Sequence, residues 1–337
     1  EKICCFTDFE IAVKIMVSII KYFCLIILLS VPSVALMSGL KRAVRPGLTT
    51  IRMASTGVIV GGGRIGNLLW DLNEREDILL KRNEQISADG NGPIYICTRN
   101  NDLEDIINST PQSRKKDLVF LQNGMLGPYL ESKGLADNTQ VLVYFAVAKK
   151  GDKPIDGKTD LNPEGLTAAT GKWANDFRDR LAVGGLACKV LEKNEWYISM
   201  LEKHIWICAM MAVGVKHSCT VGEVVGDHTD EIRDLIQEMA KATEQATGVV
   251  FPEGLSDRLC AYARSVSHFP TALKELEWRN GWFLDLTFAA ADRGETDPLP
   301  LHTKLMEIAE GKLVYNALKK YHARNKSKSE IIAPPVE

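Results

Sequence analysis

From Thr56 onward the apolar residues fall in short runs separated by polar or helical stretches. The runs are Gly57–Val60, Asp77–Leu80, Pro93–Cys97, Asp117–Leu121 and Gln140–Phe145. Runs this short and this apolar predict strands buried on both faces, and their alternation with helical segments predicts a doubly wound, mostly parallel sheet. Lys149–Asp160 is polar and contains Gly and Pro, which suits a loop or an edge hairpin, and Gly185–Leu191 reads as a last strand. From Glu195 the spacing changes to three and four. Trp196, Met200, Lys203, Ile207 and Met210 share one helical stripe, with Gly214 expected to close the helix. Further helices are expected over Asp230–Thr247 (capped by Gly248), Ser256–Ser265, Thr271–Phe288 and Thr303–His322. Ala323–Glu337 is rich in Lys, Ser and Pro and predicts disorder. The expected organisation is a leader at 1–55, an α/β domain at 56–194, a helical domain at 195–322 and a tail at 323–337.

The leader has its own pattern. From Met16, the expected start, Lys21 precedes the apolar run Tyr22–Val34, and Ser33 and Ala35 place small residues at a cleavage site after Ala35. That is the layout of a signal peptide, and the run is short for a membrane-spanning helix. Leu36–Ser55 then carries Lys41, Arg42, Arg45 and Arg52, several Ser and Thr, and no acid, which is transit-peptide composition. Signal peptide followed by transit peptide resembles the bipartite presequence used for import into secondary plastids. A membrane anchor or another organelle is the alternative, and after processing no stable membrane insertion is expected.

Charge and cysteine usage narrow the function. A formal net charge of −2 argues against a nucleic-acid partner, which would need a concentrated basic surface. The eight cysteines include no CxxC pair and no Cys/His spacing suited to zinc, so no metal site is expected. Those beyond the leader read as reduced thiols, mostly buried.

The first strand runs straight into Gly61-Gly62-Gly63-Arg64-Ile65-Gly66, a GxGxxG turn opening a helix at about Asn67–Leu72. Strand, glycine turn and helix in this order make a Rossmann dinucleotide site. Gly61 permits the tight turn, Gly63 lets a pyrophosphate approach the backbone, and Gly66 lets helix pack on strand. The N–H groups of Gly63, Arg64, Ile65 and Gly66 face the phosphates. The second strand ends in Lys81-Arg82, where an NAD enzyme usually places an acid. A cation there suits a 2′-phosphate, so the expected cofactor is NADP(H), with Arg82 the preferred contact. Glu84 follows closely, and a solvated basic loop is the competing reading. Lys203 is the only charge on its apolar stripe. A lysine there is used, paired, or snorkels to the surface.

Together these segments resemble the ketopantoate reductase (2-dehydropantoate 2-reductase) family across roughly Gly57–Leu318. The motifs are GGGRIG, Arg82 after the second strand, TRNND at Thr98–Asp102, LQNGM at Leu121–Met125, the Lys203 helix, and KELEWRNGW at Lys274–Trp282. The resemblance implies an all-α C-terminal domain of the 6-phosphogluconate dehydrogenase type, a site in the cleft between the domains, and NADPH-dependent reduction of a small, ketopantoate-like 2-keto acid. It implies Lys203 as general acid and Asn123 as a contact to nicotinamide and substrate. Glu275 would bind the substrate hydroxyl or partner Lys203. Arg99 takes the place of a cofactor-contacting lysine, and Ser267 and Asn280 are carried over as substrate-binding residues. A homodimer is a compatible assembly.

The chain departs from the family pattern at two pocket positions. Asparagines expected four and eight residues after the lysine are Ile207 and Met211 here. The segment Ser265–Pro270 is shortened, which brings Ser267 closer to Glu275 than the family's serine. A site that hydrogen-bonds a hydroxyl discriminates sharply, so these changes point to a different keto acid. The alternatives are a non-catalytic NADP(H)-binding protein and a dehydrogenase for another substrate on the same scaffold.

Overall fold

A computed structural model of the chain describes residues 56–72 and 76–310. The expected leader, the far part of the expected last helix and the expected disordered tail lie outside the described residues. All described residues belong to one compact unit.

The sheet is built from β1 (Val58–Val60), β2 (Ile78–Leu80), β3 (Ile94–Ile96), β4 (Leu118–Phe120), β5 (Thr139–Leu142), β6 (Ala168–Thr170) and β7 (Lys189–Val190) in the order β2-β1-β3-β4-β5-β6-β7. Every neighbouring pair is parallel except β5 and β6. Residues alternate between its two faces, as a strand requires. Ile59, Tyr95 and Val119 join one apolar cluster with Phe177, while Val58, Ile94, Ile96, Leu118 and Phe120 join another. Both faces are therefore buried, which is why these strands are nearly continuous in apolar residues.

Helices α1 (Arg64–Asp71), α2 (Leu103–Ser109), α3 (Gly127–Ser132) and α4 (Ala174–Val183) belong to this half. Arg180 of α4 is buried and ties it down: its guanidinium pairs with Asp77, donates to the carbonyl of Leu69 at 2.7 Å and lies over the Tyr95 ring. Neither β6 nor α4 is evident in the sequence pattern. Ala168-Ala169-Thr170 is too small and mixed to read as a strand, and it is held because its backbone pairs with β5. The expected strand over Gly185–Leu191 shrinks to the two residues of β7.

The second half is helical: α5 (Lys193–His217), α6 (Val221–Asp227), α7 (Thr229–Thr247), α8 (Leu255–Ser265), α9 (Asn280–Asp292) and α10 (Pro300–Glu310). Helix α5 is its axis. Its stripe is not a single face, because Leu201, Ile205, Trp206, Cys208 and Val213 are buried as well, with α7 and α10 packed against the helix. It is long and apolar enough to cross a membrane, but two-thirds of that stretch is buried inside the protein.

Two expected boundaries move. Gly214 does not close α5, which continues to His217 and ends at Ser218 in the left-handed region. Gly214 instead allows close packing: a Cβ there would lie 2.1 Å from the Thr271 side chain. The expected helix over Thr271–Phe288 is broken. A 3-10 turn at Leu276–Trp278 precedes α9, Glu275 has φ of +50°, and Arg279 leaves helical geometry. Gly281 makes this tight entry possible, since a Cβ would stand 2.6 Å from the Leu276 carbonyl. Helix α6 is not among the expected elements; it opens on a capping box in which Thr220 and Glu223 cap each other's backbone N–H.

The helical core shares residues with the sheet half. Met125, Leu142, Tyr144 and Ala168 pack into the cluster built around α5.

Candidate functional site

The register of the sheet sets the site. Val60 is level with Leu80 and with Ile96, and Ile96 is level with Phe120. The segments after β1, β2, β3 and β4 therefore leave on the same edge. That brings Gly61–Gly66, Arg82, Arg99 and Asn123 to one side of the sheet. The strand order reverses between β1 and β3, the crevice where open α/β sheets take ligands.

The glycine turn has the geometry such a ligand needs. Gly61 has φ of +100° and lies against Thr98 and the Cys97 carbonyl. A Cβ on Gly66 would meet the Gly61 carbonyl oxygen at 1.9 Å, so no other residue fits there. At Gly63, the N-cap of α1, a Cβ would touch nothing within 4 Å, and no side chain caps the helix. The first N–H groups of α1, including those of Arg64 and Ile65, remain available to an anion. This donor set fits a dinucleotide pyrophosphate. The Arg64 side chain is engaged elsewhere, donating to the carbonyls of Val147 and Ala148 at 3.1 and 3.2 Å.

At the end of β2 the chain turns tightly through Asn83, which has φ of +72°. Glu84 folds back so that its carboxylate accepts from the Lys81 N–H at 2.6 Å. The acid is thereby turned onto the backbone, while Lys81 and Arg82 are exposed. Arg99 is also exposed, and its N–H donates to Asp102 at 3.2 Å.

The loop after β4 is clasped from several sides. Gln122 donates to the carbonyls of Ile96 and Thr98 at 2.9 and 3.2 Å. Buried Asn100 donates to the Asn123 carbonyl at 2.9 Å. The Met125 N–H donates to the Trp278 carbonyl at 2.7 Å, and a Cβ on Gly124 would lie 2.3 Å from that same oxygen. The Asn123 backbone is thus fixed, and Asn123 is among the residues that line a cavity of about 580 Å³.

Lys203 enters the same cavity from the middle of α5. It is 6% exposed, donates to the Val143 carbonyl at 2.5 Å, and lies 4.7 Å above the Tyr144 ring centroid. Val143 follows β5, so the ammonium sits on a fixed carbonyl and does not snorkel. Burial, helped by the Arg279 cation, pulls its pKa down to about 7. His204 also lines the cavity, stacked on Phe283 at 5.1 Å, and burial holds it neutral with a pKa of about 3. Ile207 lines the cavity as well, whereas Met211 accepts the Ala272 N–H through its sulfur at 3.5 Å.

The structure does not bring the remaining expected residues to this wall. Glu275 pairs with Arg279 at 2.6 Å, and its other oxygen accepts the Asn100 N–H at 3.4 Å. It stands over the Thr98–Asp102 turn and has no contact to Lys203. Asn280 is buried against His302, whose ring nitrogen lies 2.9 Å from the Asn280 amide oxygen. Ser267 is exposed and packs on Gly222 of α6. The roles of Asn100, Arg279 and His204 went unread in the sequence. Asn100 and His204 depend on contacts far along the chain, with Asn123 and Phe283, while Arg279 pairs locally with Glu275; the TRNND and KELEWRNGW motifs contained Asn100 and Arg279 without showing their roles. The five cysteines of the described residues are free, and burial pushes Cys97 and Cys188 up to about 12, outside the nucleophilic range.

No family model matches the sequence, and no curated protein sequence matches it. The folds of solved structures do. A PanE/ApbA family ketopantoate reductase from Ralstonia eutropha JMP134 superposes over 78% of this chain and 100% of its own, with a TM-score of 0.56 at 15% identity. A dimeric ketopantoate reductase from Staphylococcus aureus covers 80% and 99%, with 0.53 at 16%. The fold is that of the ketopantoate reductases. A D-mandelate dehydrogenase bound to NADH and anilino(oxo)acetate shares it too, over 78% and 99%, with a TM-score of 0.52 at 12% identity. The ketopantoate reductase fold accounts for the layout found here, a mostly parallel sheet followed by helices that close over its edge.

Proposed function

We propose that the protein catalyses NADPH-dependent reduction of a 2-keto acid to the 2-hydroxy acid. The carrying observation is Lys203: a buried ammonium with a pKa near neutrality, fixed on a backbone carbonyl, lining a cavity with Gln122 and Asn123, of which Gln122 also holds Thr98, the residue packed on Gly61. Solved neighbours of the same fold include ketopantoate reductases and a D-mandelate dehydrogenase, which supports the reaction class.

A bound nicotinamide would supply the hydride to the keto carbon. Negative charge then builds on the carbonyl oxygen, and Lys203 meets it with a proton from Nζ. A lysine with an ordinary pKa would release that proton less readily. Asn123 orients the carbonyl from a backbone held by Asn100 and Trp278. Glu275 positions Arg279 and the Thr98–Asp102 turn. Gly61, Gly63 and Gly66 with the α1 N-terminus would hold the pyrophosphate, and Arg82 the 2′-phosphate, because Glu84 is committed to its own turn.

The test is NADPH oxidation by the purified protein across a panel of 2-keto acids that includes ketopantoate. NADPH binding with no turnover of any compound would leave a cofactor-binding protein instead. A homodimer, as described for the S. aureus enzyme, is part of the proposal and is read by light scattering. Plastid import is proposed from the leader. A fluorescent fusion of residues 16–55 that stays in the cytosol would overturn it.

A further inference from the structure

The cysteine spacing of the sequence offers nothing to zinc, but the fold assembles a different donor set at the far end of α5. His217 is the last residue of α5, His228 sits between α6 and α7, and Glu231 lies in the first turn of α7. One ligand atom from each, a ring nitrogen of either histidine and a carboxylate oxygen, lies within 4.8 Å of the other two. Among the described residues no other set of three such side chains converges in this way. His217 is about 20 Å along α5 from Lys203, so the cluster stands apart from the cavity.

The backbone holds these residues in place. The His228 N–H donates to the Val224 carbonyl at 3.2 Å and closes α6, while its carbonyl accepts the Ile232 N–H at 3.0 Å and opens α7. Three residues further, Glu231 returns to the same side of α7. The side chains already face one another. His217 Nε2 is 2.7 Å from Glu231 Oε2, and the two imidazoles stack with centroids 3.6 Å apart and planes 12° from parallel. Glu231 divides its oxygens: the Lys216 ammonium donates to Oε1 at 2.6 Å and leaves Oε2 to the histidine side. Metal-binding carboxylates are commonly anchored by such a second hydrogen bond. The negative end of the α5 dipole lies at His217, which favours a cation there and offsets the charge of Lys216. The His217 and Glu231 side chains are 26% and 31% exposed, so an ion has a way in.

We propose that His217, His228 and Glu231 bind one zinc ion, with water completing a tetrahedral shell. Zinc takes imidazole nitrogen and carboxylate oxygen at about 2.0–2.2 Å, which sets tetrahedral ligand atoms about 3.3 Å apart. Small side-chain rotations reach that spacing from the observed positions. Two imidazoles and one carboxylate suit zinc better than magnesium or calcium, which take shells of oxygen. The ion staples the end of α5 to the corner between α6 and α7 and takes no part in chemistry at Lys203. The sequence hides the site because His217 and His228 are eleven residues apart and meet only when α7 packs on α5.

The test is calorimetry with zinc chloride on the full chain, free of any affinity tag and stripped of metal by a chelator. Thermal melts followed by circular dichroism run in parallel. Wild type should bind zinc and melt at a higher temperature with it. His217→Gln, His228→Gln and Glu231→Gln should each weaken this binding at least tenfold and remove the rise in melting temperature. Their circular dichroism spectra without zinc should match wild type, which reports that they fold. Cys219→Ser, a change at a neighbouring thiol, should bind zinc as wild type does. A large excess of magnesium should not displace the ion. Wild type that binds no zinc overturns the proposal, as does zinc held equally well by His228→Gln and Glu231→Gln. Loss of binding in Cys219→Ser would overturn the assigned donor set, and displacement by magnesium would reduce the site to an unselective acidic patch.

Discussion

Lys203 rests its ammonium on the carbonyl oxygen of Val143, 2.5 Å away, in a wall that excludes water. A lysine has three donors, so this bond fixes the group and leaves donors for a substrate. Lys203→Met should lower turnover about 10²-fold or more, with NADPH affinity unchanged if the phosphates sit at α1 as proposed. Steady-state kinetics with NADPH titration decide this, and wild-type turnover in the variant would remove the lysine from the chemistry.

The depressed pKa also sets a pH dependence. Lys203 must carry its proton to act as an acid, and it loses that proton as pH rises through about 7. Turnover in the reductive direction should be level below that value and fall tenfold per pH unit well above it. Arg279→Gln removes the cation that helps hold the pKa down, so the break should move to higher pH. An unmoved break would show that burial alone sets it.

The proposed preference for NADPH rests on Arg82. Arg82→Ala should weaken NADPH at least tenfold, a charge-assisted phosphate contact being worth about 1.5–3 kcal/mol, and should leave NADH nearly untouched. Fluorescence titration of both cofactors gives the ratio. A parallel loss for both would assign Arg82 to something other than the 2′-phosphate.

Two glycines of the same turn should respond differently. Gly66→Ala forces a Cβ into the Gly61 carbonyl and should destabilise the protein by about 1–3 kcal/mol or more. Gly63→Ala meets nothing in the protein and should cost under about 1 kcal/mol as a changed N-cap. It should still weaken NADPH tenfold or more, because it occupies the path of the pyrophosphate. Urea melts and NADPH titration on both variants are the measurement. A Gly63→Ala protein that binds normally would place the phosphates elsewhere.

Acid stability follows from two histidines. Burial lowers both His204 and His302 from 6.5 to about 3. The unfolded chain takes up these protons first, so their contribution is full above about pH 6.5 and is lost as pH falls toward 3. Each can remove up to about 1.4 kcal/mol per pH unit in that window. Urea melts from pH 7 to 4 should show a shallower slope for His302→Gln than for wild type. Equal slopes would mean that His302 titrates normally.

The sequence made the cofactor half readable because its signals are local. Gly61, Gly63 and Gly66 act within one turn, and strands β1 to β4 announce themselves by continuous apolar runs. Lys203 was visible as a charge on an apolar stripe. What stayed hidden depends on distant partners. Glu275 was paired in prospect with Lys203, but the αL backbone at Glu275 and the nearby Arg279 draw it to a different neighbour. Asn280 was expected at the substrate, yet α9 begins at that residue and turns it inward to His302. Strand β6 is held by backbone pairing with β5 and β7 rather than by an apolar pattern of its own.

The bond from the Met125 N–H to the Trp278 carbonyl joins the loop that carries Asn123 to the turn that carries Glu275 and Arg279. Tyr129, two residues into α3, braces the same tryptophan edge-on at 5.2 Å. A hinge motion that parted the helices from the sheet edge would have to break this latch first, and in breaking it would release the backbone that aims Asn123. In the proposed reaction, Asn123 would orient the carbonyl only while this bond is made, so parting the two segments would also switch that orientation off.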